Sequence, residues 1–205
     1  MKNLKDFVLR ENDIERYGHI YCKLCGKRVD GELLDLGFTK FIPRIKCECE
    51  IKRDKENAER EIITRISSLK RDCFSSPNQH QYTFERFLNE KDQAYKVAYN
   101  YAKSFEQMKK DNVGLLFYGD VGSGKTYLAC SIANELIERK QVRVKIMNLS
   151  QVMNQIQKSA FKLDSNEIID NLSNIPLLIL DDLGIERDTS YAREQVYNII
   201  NSRYL

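Results

Sequence analysis

The sequence contains no apolar run approaching the roughly 18 to 20 residues needed to cross a bilayer. It also lacks strong charge of either sign. The 33 Lys and Arg against 30 Asp and Glu leave a formal net charge of +3, which neither demands a polyanionic partner nor excludes one. The opening stretch, MKNLKDFVLRENDIERYGH, alternates charged with apolar residues and has no uninterrupted apolar core, so it does not read as a secretory signal. It reads as a short amphipathic helix. There is no internal repeat and no low-complexity tract. Together these absences predict a cytoplasmic chain in a reducing compartment, where six cysteines should not be taken for a disulfide framework.

What is present is an ordinary globular balance, 42% hydrophobic and 31% charged, over 205 residues, enough for one domain and a small appendage. Four of the cysteines are clustered. Cys22 and Cys25 form C-x-x-C followed by Gly26, and Cys47 and Cys49 form C-x-C. Two close pairs separated by 21 residues have the spacing of a four-cysteine zinc site, each pair one knuckle of a tetrahedron. With all four ligand positions filled, such a site is structural. His19 is the nearest spare ligand and reads as a surface histidine. Cys73 and Cys130 stand alone and read as packing residues.

Three regions follow from composition. Residues 1–50 hold the cysteine cluster, and Gly18, Gly26, Gly31, Gly37 and Pro43 interrupt any long helix there. So small a module buries little core and needs a staple. Residues 51–80 form a charged helical linker. Ile62, Ile66, Leu69 and Cys73 share one face, Lys52–Glu56 is among its i,i+4 pairs, and turn chemistry at Ser75 to His80 closes it. From residue 81 to 205 the pattern alternates helix and strand. Ala94 to Met108 traces a helix face. Val113 to Tyr118, Val142 to Met147 and Pro176 to Leu180 are apolar runs suited to buried parallel strands. Helices are expected from Lys125, at Val152, Met153 and Ile156, at Ile168, Ile169 and Leu172, and after Thr189 or Ser190. The fold class is therefore α/β, a parallel sheet with helices on both faces.

Between the first of these runs and the helix that follows lies Gly119-Asp120-Val121-Gly122-Ser123-Gly124-Lys125-Thr126, which matches G-x-x-x-x-G-K-[ST] in the context that pattern requires. Glycines let the backbone turn its N–H groups inward around phosphates. The helix N-terminus adds favourable partial charge. Lys125 is expected on the β- and γ-phosphates, and the Thr126 hydroxyl on magnesium. The partner acid should end a buried strand, and Leu177 to Asp182, LLILDD, supplies it: Asp181 for the magnesium shell, Asp182 to polarise water. The cofactors read from sequence are thus ATP, Mg2+ and Zn2+.

The ordered set of a four-cysteine module, a charged helix, the YTFERF segment Tyr82 to Phe87, GDVGSGKT and LLILDDLG resembles the DnaC/DnaI-type helicase loaders, which are AAA+ ATPases. The resemblance implies that the N-terminal module contacts a replicative DNA helicase, which is delivered to single-stranded DNA, that the ATPase domain can self-associate, and that Thr83 to Phe87 lies near the nucleotide base. It also implies a sheet of order 5-1-4-3-2, of which only strands 1 to 3 are recognisable. The chain thus reads as truncated before the sensor and arginine-finger elements. None of Arg187, Arg193 and Arg203 sits where a finger is expected, and hydrolysis is therefore left open. Other readings are an IstB-like transposition helper, a nucleoside kinase and a non-hydrolysing adaptor. Lys109 and Lys110 form no larger basic patch and read as a solvated helix end.

Overall fold

The computed structural model describes residues 7–89, 92–148, 150–154, 170–183 and 190–203. The chain divides into two compact units, residues 1–63 and 64–205, so the division falls inside a helix rather than in the turn at Ser75 to His80.

The first unit begins with β1 (Asp13–Arg16) and β2 (His19–Cys22), antiparallel with Arg16 opposite His19. From residue 7 to 19 the opening stretch is thus not the helix expected. Its loop is only Tyr17-Gly18, both with positive φ (53° and 73°), the two-residue geometry whose twist suits a hairpin. Alternation then buries Ile20 and Cys22. A second hairpin pairs β3 (Leu34–Asp35) with β4 (Lys40–Phe41). The unit's core is small: Phe7, Ile20, Cys22, Val29, Ile42 and Cys47, with Cys49 against it. Two of those six buried side chains are cysteines, which fits a module that needs a staple.

Helix α1 (Glu48–Cys73) opens with Glu48 and Glu50 and closes with Lys70 and Arg71, matching the sign of the helix dipole at each end. Residues 51–65 are exposed throughout. Ile66, Leu69 and Cys73 turn inward as the spacing predicts, whereas Ile62 stays 44% exposed. The Lys52–Glu56 pair forms at 4.0 Å.

In the second unit two 3-10 turns, Pro77–Gln81 and Phe84–Arg86, precede α2 (Gln93–Lys103) and α3 (Phe105–Lys110). The single helix expected over 94–108 is broken at Ser104. Helix α4 (Lys125–Lys140) is the centre of the core: every residue from Leu128 to Ile137 is buried. Beside it run β5 (Val144–Asn148) and β6 (Leu177–Asp181), parallel, with Val144 opposite Leu177 and Asn148 opposite Asp181. Residues 150–154 and 170–173 are helical, and Val152 and Leu172 are buried against Met147, Ile175 and Ile199. The chain closes with α5 (Ser190–Ser202), in which Ile199 is buried and Ile200 half exposed. Ile156, Ile168, Ile169, Arg187 and Thr189 lie outside the described residues.

One expected strand does not form. Val113 to Tyr118 is in neither helix nor strand, and Leu116 and Tyr118 are 79% and 89% exposed. The physical reason is a missing neighbour. A parallel strand needs hydrogen-bond partners at its side. The sheet order implied by the resemblance puts a further strand between this run and β6, and no described residue supplies one. The parallel sheet is therefore β5 and β6 alone among the described residues.

Candidate nucleotide and metal sites

The glycine-rich loop enters α4 through backbone that only glycine adopts without strain. Gly119, Gly122 and Gly124 have φ of 135°, 84° and 86°. No acidic residue occupies the first turn of α4, so its unpaired N–H groups and positive dipole end are available to an anion. The Lys125 ammonium folds over the loop, donating to the carbonyls of Gly119 (2.9 Å) and Asp120 (2.7 Å) and to Ser123 Oγ (3.4 Å).

In the first turn of α4 the Thr126 hydroxyl donates to Asp181 Oδ1 at 3.2 Å. This contact joins residues 55 positions apart in sequence. It arises because β6 ends level with the start of α4, with Asp181 as its last residue. Asp182 follows at once, exposed and in left-handed backbone (φ 56°), its N–H donating back to Asp181 Oδ1 at 3.1 Å. The structure thus brings Lys125, Thr126 and Asp181 to one end of the sheet. Asp182 is beside them but makes no side-chain contact to the loop among the hydrogen bonds observed. Cys130, one turn further along α4, is pushed up to about 12 by burial and then by the charge of Asp181.

The aromatic wall beside the loop carries more than the sequence suggested. Tyr127 stacks on Tyr82 with ring centres 4.7 Å apart, and its hydroxyl donates to the Thr83 carbonyl at 3.2 Å. Asn134, buried on α4, donates to the carbonyls of Gln79 (2.9 Å) and Tyr82 (3.0 Å). A lone asparagine among Ile132, Ala133 and Leu136 was the signal that could have marked it.

In the first unit, Cys22, Cys25, Cys47 and Cys49 converge. Their sulfurs all lie within 4.8 Å of one another, at 3.5 Å for Cys22–Cys49 and 3.1 Å for Cys47–Cys49. These distances are too long for disulfides, near 2.05 Å, and all four thiols are free. They suit a tetrahedral ion at about 2.3 Å from each sulfur, whose ligands would stand roughly 3.8 Å apart. The donor set fits zinc on chemistry as well. Cys22 is lowered to about 7, chiefly by the backbone N–H of Cys25. Burial raises Cys47, while its thiol neighbours Cys47 and Cys22 push Cys49 up. Four crowded sulfurs cannot all ionise without a cation between them.

A polar layer that sequence reading missed supports the cluster. Glu50 accepts the Cys47 N–H at 3.2 Å and the Arg44 guanidinium at 2.8 Å. Burial opposes its charge, but Arg44 and the Cys47 N–H prevail and hold it at about 2. Arg44 also donates to buried Asp13. His19 is not among the grouped residues: its Nδ1 lies 2.9 Å from Asp30, a fully buried carboxylate that also takes two bonds from Arg28. No local pattern announces these pairs, since Asp13 and Arg44 are 31 residues apart.

A glycine-rich loop opening a buried helix, with an aspartate ending the neighbouring parallel strand, defines an α/β ATPase-type domain of the phosphate-loop class. The chain belongs to the bacterial DnaA ATPase domain family, whose model matches residues 78–204, more than half of the sequence. Its relatives bear out the DnaC/DnaI-type resemblance. It is 32% identical over 101 residues to the replicative helicase loader DnaI of Bacillus subtilis, covering 49% of this chain and 32% of that protein. It is 26% identical over 166 residues to DnaC of Buchnera aphidicola (78% and 63%), and 28% identical over 101 residues to DnaC of Escherichia coli K12 (48% and 40%). The chain thus spans between 32% and 63% of the length of these relatives. A putative primosome component from Streptococcus pyogenes aligns over 64% of this chain and 70% of its own, with 24% identity and a TM-score of 0.40. No described helix is long and apolar enough to cross a membrane.

Proposed function

We propose that the chain binds ATP with magnesium at Gly119 to Thr126 and acts as a helicase loader, engaging a replicative DNA helicase and helping to deliver it to single-stranded DNA. The observation that carries the nucleotide half is the 3.2 Å contact of Thr126 with Asp181, which puts a hydroxyl and a carboxylate together beside the phosphate loop. Thr126 and Asp181 would hold magnesium, which supplies divalent charge to neutralise the β- and γ-phosphate oxygens. Lys125 exchanges its loop carbonyls for phosphate oxygens. The amide groups around Gly122 and Gly124 donate to the remaining ones. Asp182 is proposed to orient the attacking water. Cys22, Cys25, Cys47 and Cys49 would hold a structural zinc that staples the N-terminal module.

The loader half is supported by the names of the relatives, replicative helicase loaders DnaI and DnaC. The proposed organisation is a zinc module over residues 1–50, a helical linker to residue 80 and the ATPase domain beyond.

The test is binding of a fluorescent ATP analogue to the whole chain with magnesium, followed by size-exclusion chromatography with a purified replicative helicase. Lys125→Ala should weaken nucleotide binding roughly 10- to 100-fold, the worth of a charge-assisted contact, and a complex with helicase should form. Unchanged affinity in Lys125→Ala would sink the nucleotide reading, and no helicase complex would sink the loader. Turnover that stays at background with helicase and single-stranded DNA added would instead favour a non-hydrolysing adaptor.

A further inference from the structure

The wall formed by residues 79–87 is tied to α4 by three hydrogen bonds, two from Asn134 and one from Tyr127, and by the Arg139–Glu85 ion pair at 3.7 Å. Asn134 holds the far end of the segment. Tyr127 holds the near end, directly after the loop residues Lys125 and Thr126. Next to that tie sits Phe87, whose surroundings fill it on several sides. Its ring is stacked on Tyr95 (5.5 Å between centres, 22° between planes) and tilted against Tyr127 (5.4 Å). Its remaining edge faces the loop. A Cβ on Gly124 would meet Phe87 Cε2 at 3.4 Å and Cζ at 3.5 Å.

Gly124 is the residue at which the loop becomes helix, and it sits at φ 86°. The backbone angle is one that side chains rarely adopt, and the edge of Phe87 lies at ordinary packing distance from the place a Cβ would take. One face of the ring is taken by Tyr95, and its edge is turned towards Gly124. Tyr127 in turn holds the segment from which Phe87 projects.

We propose that Phe87, anchored through Tyr127, is a positioning residue for the phosphate loop: it acts through Gly124 on the polyphosphate cradle and not on the base. This rests on the nucleotide reading above. A preorganised loop spends less of its binding energy on ordering when the phosphates arrive.

The claim is tested on the whole chain with Phe87→Ala and the gentler Tyr127→Phe, which keeps the ring and removes only the hydroxyl. Hydrogen exchange without nucleotide should speed up severalfold at residues 119–124 in Phe87→Ala, and less in Tyr127→Phe. In competition against a fluorescent ATP analogue, Phe87→Ala should weaken ATP and inorganic tripolyphosphate by the same factor, roughly three- to tenfold, the scale of one aromatic contact. A loss for ATP with none for tripolyphosphate would mark Phe87 as a base platform and overturn the proposal. So would unchanged exchange at 119–124. Wild-type protein that binds neither ligand would defeat the nucleotide reading alone, because the exchange measurement decides the role of Phe87 without any ligand.

Discussion

At the scale of single residues, Cys73 and Cys130 show how a bland side chain acquires a measurable property from its surroundings. Both are buried, and burial pushes each thiol up to about 12. The ordinary value is 9.0. A thiol held neutral in the fold but free to ionise when unfolded contributes stability that is complete below pH 9 and is lost as pH rises towards 12. The protein should therefore lose stability progressively above pH 9, and the loss should shrink in the double variant Cys73→Ala, Cys130→Ala, as read from urea midpoints between pH 8 and 11. In the native protein at pH 8, iodoacetamide should leave both residues unmodified by mass spectrometry until the chain is unfolded. Sequence reading identified these two as packing residues because nothing near them had ligand spacing. The same reading picked out Lys125, Thr126 and Asp181, which the fold brings to one end of the sheet, because the pattern it matched sets both residue types and flanking elements. It could not find Asn134 or the Arg44–Glu50 pair, whose roles depend on partners brought close only by folding.

Among the elements, α1 differs from α4 in a way that composition had already marked. Helix α4 is buried over ten consecutive residues and owes its stability to packing. Residues 51–65 of α1 have no buried face, and an unsupported helix of that length is marginal in water. They carry several trypsin sites, Lys52, Arg53, Lys55, Arg60 and Arg65. Brief trypsin treatment should cut there before it cuts within α4. The fragment from about residue 66 onward should retain binding of a fluorescent ATP analogue. First cuts within 125–140 would contradict this order. The periodicity of Ile66, Leu69 and Cys73 made the inward turn of the helix legible. The place where one unit gives way to the next was not legible, since a continuous helix has no turn residues to mark it.

For the molecule as a whole, the division at residue 63 predicts two unfolding transitions with different sensitivities. If the module binds the proposed metal and the ATPase domain the proposed nucleotide only when folded, each ligand would raise its own transition by mass action. In calorimetry a strong chelator should lower one transition and leave the other in place, while ATP with magnesium should raise the other. A single transition answering to both additions would contradict the separation.

The alternation of helix and apolar run was enough to predict a parallel sheet, because β5 and β6 contain within their own sequence the pattern that buries them. It was not enough for Val113 to Tyr118, whose apolar character says that it suits a strand but not whether a neighbour is at hand. With no strand beside them among the described residues, those six residues bear on the colloidal behaviour of the protein. An apolar stretch whose backbone groups lack a neighbouring strand is a template for pairing between molecules. A net charge of +3 offers little long-range repulsion to keep molecules apart at physiological salt. How concentrated a solution of this protein can be made is therefore decided less by its overall composition than by whatever comes to lie beside Leu115, Leu116 and Tyr118.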